Sequence, residues 1–399
     1  MQRRLRGGKL WLVALMTLGV TASGCPTRQV RLDGPPVFYP GPPAQPRFQF
    51  LRSISHEHDL DRPGAFEEWL LGKPDKPRGL AKPYGVTMRG RDVYVADSIM
   101  GTVVKIDLET ARFEPLVGAR GEGALRKPIN VFLSPDDQHL WVADVGRGQV
   151  VEYDDQDRFV RALGEPNTMR PTDVAVRGKR VFVCDVAHSR VVVLSRADGR
   201  QIAEIGHEGK GDGAFYKPTN LALAPDGSLY VTDTMHFRVQ HFSEDGKFLA
   251  AFGSAGRGYG QFMRPKGLAV DPAGRVYVVD AAFENVQVFR PKDYRLLVAI
   301  GGGGNGPGDM VLPADVEIVT DSRSVTSFQS YVDPRLHLEF LVLVTNQYGP
   351  HRLNIYGYGT WRGEAPAAPA NATPDAKDEA PSSEPAPSLE SIPSVGNGT

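Results

Sequence analysis

Six segments of this chain open alike: KPYGVTM from Lys82, KPINVFL from Lys127, RPTDVAV from Arg170, KPTNLAL from Lys217, RPKGLAV from Arg264 and LPADVEI from Leu312. Their prolines, Pro83, Pro128, Pro171, Pro218, Pro265 and Pro313, are spaced by 45, 43, 47, 47 and 48 residues. A period of that length, repeated along most of a chain, restricts the fold to stacked copies of one supersecondary unit. Each opening leads into a second run (DVYVADS, HLWVADV, RVFVCDV, SLYVTDT, RVYVVDA, FLVLVTNQ) and a third, such as GTVVKID or RVQHFSE. In most copies a fourth run follows and closes on glycine: FEPLVG, FVRALG, QIAEIG, FLAAFG, LLVAIG.

Each run alternates polar and apolar residues and is rich in Val, Phe and Tyr, which predicts a strand. PDG at 225–227, EDG at 244–246 and PAG at 272–274 supply tight turns between them. Four short antiparallel strands per period make a propeller blade, so the expected fold is all-β, a six-bladed β-propeller. The last copy lacks a fourth strand, whereas RFQFLRSIS at 47–55 has that pattern and stands before the first copy. Docked beside the last blade it would close the ring and remove an open sheet edge. Residues 321–339 interrupt the sixth copy and are its main irregularity.

This pattern resembles the NHL-repeat family of six-bladed β-propellers, whose glycine-rich lead-in reads here GHEGKGDGAFYKP at 206–218 and GSAGRGYGQFMRP at 253–265. The layout around the repeats resembles that of bacterial envelope NHL lipoproteins. Residues 1–24 carry Arg3, Arg4, Arg6 and Lys9, no acid, and an apolar run of 11 residues, too short to span a bilayer as a mature helix. Ala22, Ser23 and Gly24 before Cys25 resemble a lipobox. The resemblance implies a signal peptide over 1–24, lipidation of Cys25, and a protein held on a membrane of the bacterial cell envelope. Pro26 in place of Asp favours the outer membrane. An ordinary secretory signal cut nearby and an uncleaved anchor are the other readings. Residues 25–46 are Pro-rich and read as an extended tether, 47–363 as the propeller, and 364–399 as a disordered acidic tail rich in Pro, Ala and Ser.

Without the basic leader and the acidic tail the body carries 41 basic and 41 acidic residues. That balance argues against nucleic-acid binding driven by phosphate neutralisation. With Cys25 lipidated, Cys184 has no disulfide partner, and its place in VFVCDV reads as a small buried residue.

Three residue sets fall on one face of such a propeller. The third residue of each opening (Gly85, Asn130, Asp173, Asn220, Gly267, Asp315) begins the innermost strand and rings the channel mouth. Its Asn and Asp members offer hard oxygen ligands for a Ca²⁺-like ion, or they cap backbone groups where the strand begins. The residue before each proline is a cation five times (Lys82, Lys127, Arg170, Lys217, Arg264), either an anion-attracting collar or solvated side chains. The end of the second run is Asp97, Asp144, Asp185, Asp233, Asp280 and Asn346. Catalysis needs one asymmetric site, so this repetition assigns those residues to a shared turn. His188 and His236 follow two of these aspartates by three residues and are the zinc candidates, without a third ligand. His241, five residues beyond His236 on a strand, points the other way.

Two enzyme families look like this fold. Peptidylglycine amidating lyases place zinc-binding His just after the opening proline, where this chain has Tyr84, Ile129, Thr172, Thr219, Lys266 and Ala314. Gluconolactonase-like propellers hold a divalent ion through acidic and Asn residues, which keeps a metal-dependent hydrolase on Asn130, Asp173, Asn220 and Asp315 as the alternative. The favoured expectation is a non-catalytic binding or scaffolding module without a cofactor. Its partners would be envelope proteins, and the resemblance extends to complexes containing multihaem cytochromes. One face, with the 321–339 irregularity, is the expected partner surface.

Overall fold

The computed structural model describes residues 34–60, 78–136 and 138–367. The expected signal peptide, Cys25 and the tail from residue 368 lie outside the described residues. Five four-stranded antiparallel sheets and one five-stranded sheet form six blades. Blade 4 is representative: inner strand Pro218–Leu223, then Leu229–Asp233, Arg238–Phe242 and outer strand Phe248–Phe252. Six apolar clusters fill the spaces between neighbouring blades. Between blades 3 and 4, for example, Phe182, Val191 and Ile205 meet Leu229, Val231 and Phe242. No single blade could hide these faces, so the ring is one cooperative stack.

The N-terminal strand closes it. Phe48–Ile54 lies antiparallel to Leu353–Trp361, with Phe48 opposite Tyr358, Phe50 opposite Tyr356 and Ile54 opposite Leu353. Phe48, Phe50, Leu51 and Ile54 are all buried. A short strand, Phe38–Tyr39, adds a fifth to this blade, pairing with Phe48 and Gln49. It lies within the Pro-rich stretch read as a tether. Its two aromatic rings dock that stretch, Phe38 edge-on to Trp361 and Tyr39 edge-on to Tyr356.

Every inner strand has the same irregularity. Its register with the second strand shifts just after the proline, between Pro171 and Asp173, Pro218 and Asn220, Pro313 and Asp315, and likewise in the other three blades. Proline has no N–H to give a ladder, so it is tolerated at the first strand position and next to a bulge. The bulge fixes which side chains ring the channel.

Because strands run from the channel outward, the second-to-third-strand turns and the connections between blades share one face, here the upper face. The hairpins between first and second strands lie below. The sixth-blade irregularity is such a hairpin. It folds into helix α1, Ser322–Ser327, and a short turn at Gln329–Tyr331. Phe328, Val332 and Leu336 bury themselves in the cluster between blades 6 and 1. Ser324 Oγ donates to the carbonyl of Gly90, and Tyr331 meets the guanidinium of Arg52. The insertion therefore belongs to the lower face and serves the ring closure. It does not share a surface with the three residue sets above.

Candidate functional site: the upper face and the channel

The repeated aspartates staple the upper face together. Asp280 Oδ2 accepts from Met263 N–H at 2.7 Å, and its Oδ1 accepts from Arg264, Ala282 and Phe283 N–H. Asp144 likewise takes the N–H groups of Arg126, Lys127, Gly146 and Arg147, and Asp97 those of Ala81, Lys82, Ile99 and Met100. Each carboxylate thus ties its own turn to the segment that starts its blade, and all are fully buried. Asn346 departs from the pattern: it donates to the carbonyl of His351, its Oδ1 has no hydrogen-bond partner among the described residues, and Glu284 takes the N–H of Leu312 at the start of that blade. The shared-turn role read from the repetition accounts for the five aspartates.

His188 and His236 are committed to the same turns. Nδ1 of His188 is 2.6 Å from Asp185 Oδ2, and Nδ1 of His236 is 2.8 Å from Asp233 Oδ2. Arg238 and Gln240 share that Asp233 oxygen. His241 lies on the other side of its sheet, stacked on Tyr230 and bonded to Tyr294 Oη. Among the described residues no group of three or more His, Cys, Asp or Glu side chains is arranged to hold a metal ion.

The Asn/Asp ring closes the channel beneath the upper face. Asp173 spends one oxygen on its own Val174 N–H and the other on Leu221 N–H of the next blade. Asn130 Oδ1 accepts from Val131 N–H, and Asn220 donates to Asp315 at 3.4 Å. The two glycines of the ring mark its tightest points. A Cβ on Gly85 would lie 2.6 Å from Asn130 Cα, and one on Gly267 would lie 2.9 Å from the carbonyl carbon of Asp315. These oxygens knit adjacent inner strands, and each Asp173 oxygen accepts one backbone N–H, as backbone capping requires.

Below the ring a cavity of about 620 Å³ runs toward the lower face, walled by apolar residues such as Phe132, Leu223 and Ile318. Glu317 points into it. Sequence reading missed this residue, although the fifth inner-strand position is Thr87, Phe132, Ala175, Ala222 and Ala269 in the other blades, and a lone acid there is conspicuous. Burial, reinforced by the charge of Asp315, pushes Glu317 up to about 8. Burial raises Asp315 too, and burial together with Asp315 raises Asp173 well above the carboxylate range. Thr87 Oγ1 lies 3.4 Å from Glu317.

The five cations form the expected collar, four of them exposed and Lys82 half-buried. Lys266, just after the proline of blade 5, joins them. Its ammonium stands 5.4 Å from the ring centre of Tyr84 in blade 1, which Lys82 also faces at 5.8 Å. Burial, and then the like charges of Arg264 and Lys82, lower Lys266 to about 8.

A sheet ring of this kind defines the class of protein: an all-β, six-bladed β-propeller closed by its N-terminal strand. The chain carries NHL repeats, matched by that family's model at residues 215–242 and 262–290, within blades 4 and 5. No curated protein sequence matches it. Among solved structures it is similar to a protein of unknown function from Bacteroides thetaiotaomicron, with a TM-score of 0.56 and 14% identity, covering 79% of this chain and 76% of that one. It is also similar to a gluconolactonase from Xanthomonas campestris, with a TM-score of 0.50, 17% identity and coverage of 82% and 99%. A streptogramin B lyase scores 0.48 at 14% identity, covering 71% of this chain and 85% of that one. At identities this low, the first two likenesses show the shared fold alone.

Proposed function

We propose that this propeller is a non-catalytic docking module whose upper face binds a protein partner in the cell envelope. One observation carries the reading. Of twelve large apolar side chains exposed among the described residues, eight sit in the turns and connections of the upper face: Ile99, Met100, Val117, Tyr216, Met235, Tyr259, Met263 and Tyr348. The remaining four, Val160, Ile202, Leu249 and Leu297, are scattered over outer strands of four different blades. Met, Tyr and Arg are the residue types enriched at interfaces, and apolar surface gathered on one face marks an interaction site. The cation collar surrounds the same face and suits an acidic partner. A lipidated Cys25 would hold the ring at a membrane, with the outer membrane favoured by Pro26. This placement, and a multihaem cytochrome complex as the setting, rest on the sequence alone.

The test is co-purification from native envelopes with Ile99→Asp and Met235→Asp variants, against Ile202→Asp on an outer strand as control. Loss of one recurrent partner in the first two variants only is the expected result. Equal recovery in all three would remove the docking face.

A further inference from the structure

The upper mouth breaks its six-fold pattern at one place. Blade 6 presents Leu312 where the other five blades have a cation, and Ala314 where they have Tyr84, Ile129, Thr172, Thr219 and Lys266. Ala314 is the smallest of that set and is buried. Ala314 is flanked from both sides. Blade 5 sends Lys266 and Arg264, and blade 1 sends Lys82 and Tyr84. From the second-to-third-strand turn of blade 6 itself comes Tyr348, whose ring lies 5.4 Å from the Lys82 ammonium.

Two ammoniums thus face two tyrosine rings, and the charge of Arg264 reaches Lys266 beside them. The nearby acids are turned elsewhere. Asp97 and Asp280 face the backbone N–H groups of their turns, and Glu284 accepts from Leu312 N–H. The charges that reach Lys266 are those of Arg264 and Lys82. Aromatic faces compensate an ammonium only in part when water is removed. A half-buried lysine beside other cations is therefore short of one negative charge, and partial burial with like charges depresses it for that reason. Asymmetric and electrically unbalanced, this nook has the character of a ligand site.

We propose that the nook over Ala314, framed by Lys82, Tyr84, Arg264, Lys266 and Tyr348, is a carboxylate-binding site. The proposal deepens the docking-face reading and rests on it in one respect: the carboxylate is an Asp or Glu side chain, or a chain end, presented by the partner. A free small carboxylate is the other source of the same chemistry. An anion between Lys266, Lys82 and Arg264 supplies the missing charge, and the tyrosine rings wall it from solvent. Binding and protonation of Lys266 are linked, so each tenfold preference of the anion for the protonated lysine raises its pKa by about one unit.

The experiment uses the purified full-length protein with its lysines reductively methylated with ¹³C-formaldehyde. The Lys266 resonance, assigned by its loss in Lys266→Met, is titrated against pH alone, with succinate, with inorganic phosphate, and with a Glu-rich peptide. Titration near 8 without anion and an upward shift of a unit or more with peptide or succinate is the expected result. A shift with the peptide alone assigns a protein-borne carboxylate, and a shift with succinate admits a free one. A shift with phosphate only, or with none of the three, overturns the proposal. Lys82→Met must diminish the shift and Lys217→Met, in blade 4, must leave it intact; equal effects of both also overturn it. A succinate shift that persists when Ile99→Asp has no effect on partner recovery removes the docking face and leaves the nook. Partner loss in Ile99→Asp with no anion shift does the reverse.

Discussion

The channel carboxyls make the stability of this protein fall with pH in a range where most proteins are insensitive to it. Glu317 faces a largely apolar cavity beside Asp315 and is raised to about 8. In the unfolded chain it loses its proton near the ordinary glutamate value, so between about 4.5 and 8 the native state holds the extra proton. A state that holds more protons loses stability as pH rises. The contribution is complete below the unfolded pKa and is gone once pH passes the folded one. A shift of roughly 3.5 units is worth at most about 5 kcal/mol, and water in the channel reduces this to roughly 2–3 kcal/mol. Glu317→Gln removes the titration and keeps the shape. We expect the variant to match the wild type at pH 5 and to exceed it at pH 9 by about 5 °C in Tm, at roughly 2 °C per kcal/mol for a domain of this size. The assay is thermal unfolding followed by circular dichroism at pH 5, 6, 7, 8 and 9. The difference between the two proteins is the quantity read, because Lys266, lowered to about 8, contributes with the opposite sign above that pH. A difference that stays flat from pH 5 to 9, or that favours the wild type at high pH, refutes the reasoning.

The other predictions concern the ring and the staples. Gly85→Ala places a methyl group against Asn130 in the tightest part of the ring, and an overpacked backbone contact costs about 1–3 kcal/mol, read as a lowered urea midpoint. Asp280→Ala leaves four N–H groups without their acceptor and is expected to lose about 2–4 kcal/mol, whereas Asp280→Asn retains part of it. Removing residues 34–54 deletes the closing strand with its buried Phe48, Phe50, Leu51 and Ile54, each worth about 1.5–3 kcal/mol; limited proteolysis should then cut between blades 6 and 1 first.

Much of this was legible in the sequence because a repeat is its own control. Six aligned prolines and their following runs gave strands, blade count and closing strand together. An aspartate occupied five times out of six pointed to a turn, and Asp97, Asp144 and Asp280 each hold both their own turn and the start of their blade. What stayed hidden depends on contacts between blades. The bulge after each proline decides that Asp173 reaches Leu221 of the next blade, and no local pattern announces it. Residues 321–339 read as a projecting irregularity, but Phe328, Val332 and Leu336 fold it down. Lys266 was noted only as a position that is not His; its meeting with Tyr84 needs blades 5 and 1 to face each other across the small Ala314.

The docking face is tested most directly by placing a photo-crosslinking amino acid at Ile99, Met235 or Tyr348 on the upper face, and at Ile202 or Leu297 on outer strands, in cells with intact envelopes. The account predicts that the three upper-face positions capture one common protein and that the two outer-strand positions do not. Capture of that protein from the outer strands, with none from Ile99, Met235 or Tyr348, would contradict it.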